Sequence, residues 1–397
     1  MMTDLQDGSA SPSNDGPASP LAQLASLPSP KRPAGSVGVL LNRMLIYARP
    51  DQVPALRPHV NLERGGFVIA GAKTNDRMKL LAEDGFEGLA LVDPAAYEKY
   101  VATADAPFWS PEDQLLPTSL EDMLNQQLMA GAPAALTPTK FIVAGDTDSL
   151  KAAARQVKLL RRNDVIFVAP LDISFLDRKF IRQTTAILAD IGCPIALVLG
   201  KQFDPLAQAA ARIIPNLRML AATIELMPMR TDFNAFDLVA HGAFAGAIGT
   251  GGSVRHTVEP PQKPMAFKQD PSPSVLIPEL MSWWKGNKLA DLFGALEHLA
   301  PRCPCEVCAE QKLTRFRRRT DKNEAIAHAV AVWSAYAADM LDAPTLRQRA
   351  QYWQNICRNA LDNHKLLPAQ LKLAKPLKPQ KPLEVWAELP LWPTDQP

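Results

Sequence analysis

The sequence has no uninterrupted apolar run of about 18 residues, and no charged-then-apolar leader follows Met1. These absences predict neither a membrane span nor a secretory signal, and the expected compartment is the cytoplasm. Net charge is almost absent as well: 43 Lys and Arg against 41 Asp and Glu leave +2. No global field draws such a chain to nucleic acid, so any electropositive footprint must be local. No internal repeat is visible. Cysteine is scarce, with five in 397 residues, which excludes a disulfide scaffold.

What is present describes an ordinary globular protein, with 47% hydrophobic and 21% charged residues and a length able to bury a large core. Three of the cysteines fall within six residues, Cys303-Pro304-Cys305-Glu306-Val307-Cys308. Three soft ligands at that spacing reach one tetrahedral ion, and reducing conditions suit thiolates, so structural Zn2+ is the predicted cofactor. His328, on the helical run after a basic loop and flanked by Ala325, Ala327 and Ala329, is the preferred fourth ligand. His298 and His364 are the alternatives. Cys193 and Cys357 stand alone in apolar or helical surroundings and read as core residues.

Along the chain, residues 1–35 are dense in Ser, Pro, Gly, Asp and Ala and are expected to be a disordered tail. Short apolar runs at 39–41, 44–46, 67–70 and 89–92 read as strands. An irregular crossing over 103–125 ends in a helix from about Ser119. From Phe141 the rhythm is strand, helix, strand. Strands are expected at 141–145, 164–169, 194–200, 224–227 and 244–249. The intervening helices are expected at 148–162, with Asp148 or Ser149 as cap, and at 176–191, 205–214 and about 231–241. Apolar strands without alternation, separated by helices, imply parallel strands covered on both faces. The fold class is therefore α/β. The leading architecture is a (β/α)8-type barrel over 36–256, with a C-terminal zinc-binding helical subdomain over 257–365; an open doubly wound sheet is the runner-up. That subdomain is expected to hold a short apolar helix at 278–284, an amphipathic piece at 289–299, and helices at 323–341 and 344–361. Residues 366–397, with repeated Lys-Pro steps, read as an extended tail.

In a β/α barrel the loops at the strand C-termini build the site, and those after the last strands often hold phosphate. The stretch Gly249-Thr250-Gly251-Gly252-Ser253-Val254-Arg255-His256 fits that place. Gly251 and Gly252 let backbone N–H groups converge on an anion, Arg255 offers a bidentate partner, and His256 lies beside it. Asp172, Gln202, Arg230 and Asp232 also follow strand ends. Asp172 and Asp232 are the candidate catalytic carboxylates, with a helix N-cap as the competing reading of Asp232. Arg315, Arg317, Arg318 and Arg319, beside the cysteines, are the candidate contacts to a phosphate backbone.

With those residues in place, the segment from about Phe141 to Leu361 resembles the tRNA-guanine transglycosylase superfamily. The C-x-C-x-x-C cluster behind a β/α region, with a histidine on the next helix, looks like that family's zinc subdomain. The resemblance implies that Asp172 binds the purine edge, with Gln202 beside it. It implies a tRNA or DNA partner, a purine or deazapurine base, and base exchange or release at an N-glycosidic bond. It also carries two departures. No carboxylate occupies Phe244 to Gly249, where the family keeps its nucleophilic aspartate, and Thr137 to Phe141 lacks an acid where the family has Asp-Ser-Gly-Gly-Phe. A divergent enzyme, with Asp232 as a substitute acid, and a nucleic-acid-binding relative without catalysis are therefore both expectations. Homo-oligomerisation is left open.

Overall fold

The computed structural model describes residues 31–71, 74–111, 118–263 and 270–391. Most of the expected N-terminal tail, Leu115 in the crossing and the last six residues lie outside that set.

Eight strands run parallel: β1 Arg43–Ala48, β2 Phe67–Ala70, β3 Ala90–Asp93, β4 Ala135–Leu136, β5 Val165–Asp172, β6 Ile195–Gly200, β7 Leu226–Pro228 and β8 Ala245–Gly249. They form two four-stranded sheets, ordered β3-β2-β1-β8 and β4-β5-β6-β7. Thr231 bridges Ile248 and the Phe244 N–H donates to Leu226 O at 2.9 Å, which joins β7 to β8. Between β3 and β4 the ladder is not continuous. Among the described residues a parallel bridge from Val101 to Phe141, just past the strands, links the sheets there. Almost every strand residue is buried on both faces, as parallel strands require. Alternate residues of all eight strands meet in one buried cluster, among them Leu45, Val68, Leu91, Leu136, Ile166, Ala196, Met227 and Ala245. Their neighbours in sequence face outward against the helices, in a second and larger cluster.

Those helices are α1 Thr74–Glu83, α2 Leu120–Met129, α3 Thr147–Leu160, α4 Ile181–Asp190, α5 Ala210–Thr223 and α6 Asn234–Ala240. Several boundaries differ from the sequence expectation for identifiable reasons. The cap of α3 is Asp146, whose carboxylate accepts from the Ser149 N–H at 3.0 Å and the Ser149 hydroxyl at 2.6 Å. The strand expected at 141–145 shrinks to single bridges, and β4 lies earlier. Pro138 interrupts the ladder, and the Thr137 hydroxyl accepts from the Val168 N–H at 2.9 Å where a strand carbonyl would. Helix α5 begins later than expected and continues through Pro215, because Ile213, Ile214, Leu217 and Leu220 are buried along one face.

Past β8 the chain forms an antiparallel hairpin, β9 Ser274–Ile277 and β10 Ser282–Lys285, then α7 Gly286–Phe293, α8 Lys322–Asp342, α9 Leu346–Gln370 and α10 Lys381–Glu388. The helix expected at 278–284 is reduced to a single 3-10 turn at Pro278–Leu280, after which the chain continues as β10. Met281 adopts a left-handed φ of 45° to turn the chain, and Trp283 and Trp284 suit a pleated edge. The extended tail expected from 366 is also replaced. Helix α9 runs on to Gln370, and in α10 the i, i+3, i+4 set Leu383, Trp386 and Ala387 is buried. Among the described residues no helix is long and apolar enough to cross a membrane.

Candidate metal centre and the cleft beside it

Cys303, Cys305, Cys308 and His328 come together: their ligand atoms all lie within 4.8 Å of one another. The loop that carries the cysteines is built by its own backbone. Cys303 donates to Gln311 O at 3.2 Å, Glu310 to Cys303 O at 2.9 Å and Cys308 to Cys305 O at 3.0 Å. Ala309 and Glu310 take left-handed φ values of 45° and 66° to close it. His328 Nδ1 sits 3.3 Å from Cys308 Sγ and 3.5 Å from Cys305 Sγ. Metal–sulfur bonds of about 2.3 Å and metal–nitrogen bonds of about 2.0 Å give a tetrahedron with edges near 3.5–3.8 Å, so the spacing fits a metal. Nε2 lies 2.8 Å from Leu276 O on β9; as the donor there it leaves Nδ1 for the ion. Burial pulls the imidazole down, but the neighbouring Cys305 and Cys308 outweigh it and raise His328 to about 9. Cys303 and Cys308 hold the Cys305 thiol well below its ordinary value. The site thus stabilises a thiolate beside a cation, a role a divalent metal fills by displacing protons. Cys303, Cys308 and His328 are buried and Cys305 is partly open, and Cys303 and Cys305 line a cavity of about 640 Å³. His364 lies elsewhere, within 3.1 Å of Leu280 O.

Of the four arginines expected to meet phosphate, Arg315 is committed inward. It pairs with Glu324 at 2.6 Å, donates to Cys308 Sγ at 3.6 Å, and lies 4.0 Å over the Phe316 ring. It packs against the cysteine cluster through Cys308. Arg317, Arg318 and Arg319 are exposed, and Arg319 faces a cavity of about 900 Å³. The same cavity is lined by Gly251, Gly252 and Ser253 after β8, by Arg49 after β1, by Lys285 and Lys288 at the start of α7, and by Lys322 at the start of α8. A Cβ at Gly251 or Gly252 would meet nothing within 4 Å, so both leave their backbone open to the cleft. Gly249 differs: a Cβ there would lie 2.0 Å from Val254 O, which makes it the point where the loop folds back on β8.

The remaining candidates divide between scaffold and rim. Arg230, at a left-handed φ of 53° and 5% exposed, uses its guanidinium to hold the loop. It donates to His256 O at 3.0 Å and Ser253 O at 2.9 Å and pairs with Glu98, which also pairs with Arg49. It was expected to bind substrate; these partners make it the loop's support. Asp172 Oδ1 accepts from the Ser174 N–H at 2.9 Å, capping a short turn, and Gln202 donates to Lys263 O at 3.0 Å. Asp232 lies one residue before the N-cap of α6, which is Phe233, and its Oδ1 accepts from the Asn234 N–H at 3.0 Å. It also interacts with Asp204, whose carboxyl is pushed up to about 7 by burial and then by the Asp232 charge. Arg255 lies 3.3 Å over the Trp283 ring and donates to Gly249 O at 3.1 Å, while its Nη2 is buried without an acceptor among the described residues. Burial lowers it to about 9, against the pull of Asp232. His256 is lowered to about 4 by burial and by Arg230 and Arg255, so it is neutral near pH 7.

Two groups escaped the sequence reading. Asp93 ends β3 fully buried, accepting from Tyr47 OH at 2.8 Å, Tyr97 OH at 2.5 Å and the Ala95 N–H at 2.8 Å. The signal was an aspartate directly after an apolar strand. Asp204 had no such signal, because only the folded loop after β6 brings it to Asp232.

No family model matches the sequence, and no curated protein matches it. Among solved structures, the tetrameric deoxyribose phosphate aldolase from Aeropyrum pernix is 14% identical, covering 59% of this chain and 94% of that one, with a TM-score of 0.25. Pyruvate carboxylase from Rhizobium etli, solved with its allosteric activator acetyl coenzyme-A, is 12% identical over 92% of this chain and 38% of that one, at 0.32. Its carboxyl transferase domain with pyruvate and biocytin is likewise 12% identical, over 92% and 67%, at 0.32. Likenesses this weak carry no statement about this chain's chemistry.

Proposed function

We propose that this chain is a divergent transglycosylase-like protein on a (β/α)8-type scaffold, with Zn2+ in its Cys₃His centre, that handles a nucleobase or nucleoside within a nucleic acid. The observation that carries the reading is the cationic cleft. Arg49, Lys285, Lys288, Arg319 and Lys322 line one cavity together with the open glycine loop, against two carboxylates there, Asp51 and Asp270, in a chain whose net charge is only +2. Such a concentration, with backbone N–H groups and cations facing one space, suits a phosphodiester backbone. The single cluster fed by all eight strands supports the barrel reading. Zinc suits three thiolates and an imidazole with a fixed tautomer, and it would tie β9 to α8 and the cysteine loop without touching substrate. Free thiolates of this kind suit a reducing cytoplasm.

As an enzyme, the protein would break an N-glycosidic bond. Asp172 would orient the base, and the carboxyl of Asp204, held near neutrality beside Asp232, would be available for proton transfer. A second reading is favoured by β8 itself: Ala245–Gly249 presents no carboxylate, so a nucleic-acid-binding protein without covalent exchange fits the same cleft. Incubation with tRNA or DNA and labelled guanine or a deazaguanine separates the two. Incorporation or base release that is lost in Asp172→Ala supports the enzyme; neither product sinks it. Affinity for tRNA should fall steeply with salt, and Lys288→Ala with Arg319→Ala should flatten the slope by about 2. Salt-independent binding would remove both readings.

A further inference from the structure

A second cavity, of about 460 Å³, opens past the ends of β2 and β3 and shares only Arg49 with the cationic cleft. One part of its lining is aromatic. The Tyr100 and Trp109 rings lie 6.4 Å apart at 19° from parallel. Tyr100 remains 39% exposed and Trp109 half-buried, so the pair is not absorbed into the core. Its backing is stiff: the Trp109 N–H donates to Pro138 O at 2.9 Å, and Phe108 bridges Thr139. Two cations share the lining, Arg49 and the exposed Lys99. The place of Arg49 is built in. Gly71, at φ +103°, lies so close that a Cβ would stand 2.9 Å from Nη1, and Glu98 pairs with the other end of the guanidinium. Among the described residues of the lining Glu98 is the one carboxylate, and its charge is shared between Arg49 and Arg230.

We propose that this cavity binds a small molecule made of a planar aromatic ring and an anionic group, the ring lying against Tyr100 and Trp109 and the anion meeting Lys99 and Arg49. The volume lies in the range of small-ligand sites, which run from roughly 300 to 1,000 Å³. A stacked pair of aromatic side chains offers a π-face to a ring of either size, and Met123 adds an adaptable apolar contact. A nucleoside monophosphate and an aromatic carboxylate both have this chemistry. The site is distinct from the cleft proposed for nucleic acid and does not depend on that reading.

Calorimetric titration of the full chain tests it with adenosine 5′-monophosphate, indole-3-carboxylate, adenosine and inorganic phosphate. A compound carrying both ring and anion should bind at least about tenfold more tightly than adenosine or phosphate alone. Preference for the monophosphate assigns a nucleotide, and preference for the carboxylate assigns an aromatic acid. Trp109→Ala and Lys99→Ala should each weaken the preferred compound by about tenfold. Should Trp109→Ala fail to fold by circular dichroism, Tyr100→Leu with Lys99→Ala makes the same comparison. No binding by either compound overturns the proposal, as does binding that these variants leave unchanged. Loss of binding in Lys288→Ala with Arg319→Ala overturns it too, because the ligand would then sit in the cationic cleft.

Discussion

At His328, the hydrogen bond between Nε2 and Leu276 O leaves Nδ1 turned toward Cys305 and Cys308. That one contact orients the ligand, so the metal's effect should be tested at single residues. Elemental analysis should find one zinc per chain, and Cys308→Ser should lose it and lower Tm by about 5 °C or more. A fully folded, zinc-free wild type would refute the assignment. A different charge problem sits at Arg218, 2% exposed, whose Nε and Nη2 meet the two oxygens of the fully buried Asp237 at 3.0 and 2.5 Å. Arg218→Ala leaves that carboxylate without its partner, and chemical denaturation should show a loss of about 3–5 kcal/mol. Asp204 supplies the pH test. Its carboxyl is raised to about 7 in the fold, above an unfolded value near 3.9. A raised acid holds its proton more tightly when folded, so its contribution is present below about pH 4 and is lost as pH rises to 7. Asp204→Asn should therefore match the wild type at pH 4 and exceed it at pH 8, by on the order of 1 kcal/mol after allowing for solvent contact.

The loop after β8 shows the same logic in an element. Gly251 and Gly252 leave open space, while Gly249 admits no side chain because Val254 O stands 2.0 Å from where a Cβ would be. Gly249→Ala should cost about 1–3 kcal/mol by urea melting and weaken polyanion binding, whereas Gly252→Ala should leave stability near wild type. Equal effects would mean that the loop does not close on Gly249. Arg230 and Arg255 brace this element from beneath through Ser253 O, His256 O and Gly249 O. Both guanidinium groups are engaged with the loop's own carbonyls.

Across the whole molecule, the C-terminal helices are joined to the strand region by aromatic stacking. Phe236 on α6 lies 5.1 Å from Trp353 on α9, which in turn lies 5.5 Å from Trp386 on α10. Arg218 extends the same joint to Pro390 O at 3.2 Å. Trp386→Ala should therefore destabilise the chain by about 3–5 kcal/mol in a single cooperative transition. A separate early transition would show that the C-terminal helix melts alone.

Some of this was legible from residue order alone. The apolar runs that became β2, β3, β5, β6 and β8 were visible because both faces of a parallel strand are buried, and three close cysteines with a later histidine announced a cluster that could hold one metal ion. Gly251, Gly252 and Arg319, singled out in the sequence at separate places, line one cleft. What the sequence left undecided involved groups that only the fold brings together. Asp204 meets Asp232, Arg49 meets Glu98, and Trp109 meets Tyr100 only after the loops fold. Charge coupling and cavity shape depend on distances in space, which the order of residues does not specify. Local periodicity determined which segments became strands and helices; tertiary packing decided that Arg230 and Arg315 turn inward, that Lys288 and Arg319 face one cleft, and that a β-hairpin stands where Pro278 to Trp284 read as a helix.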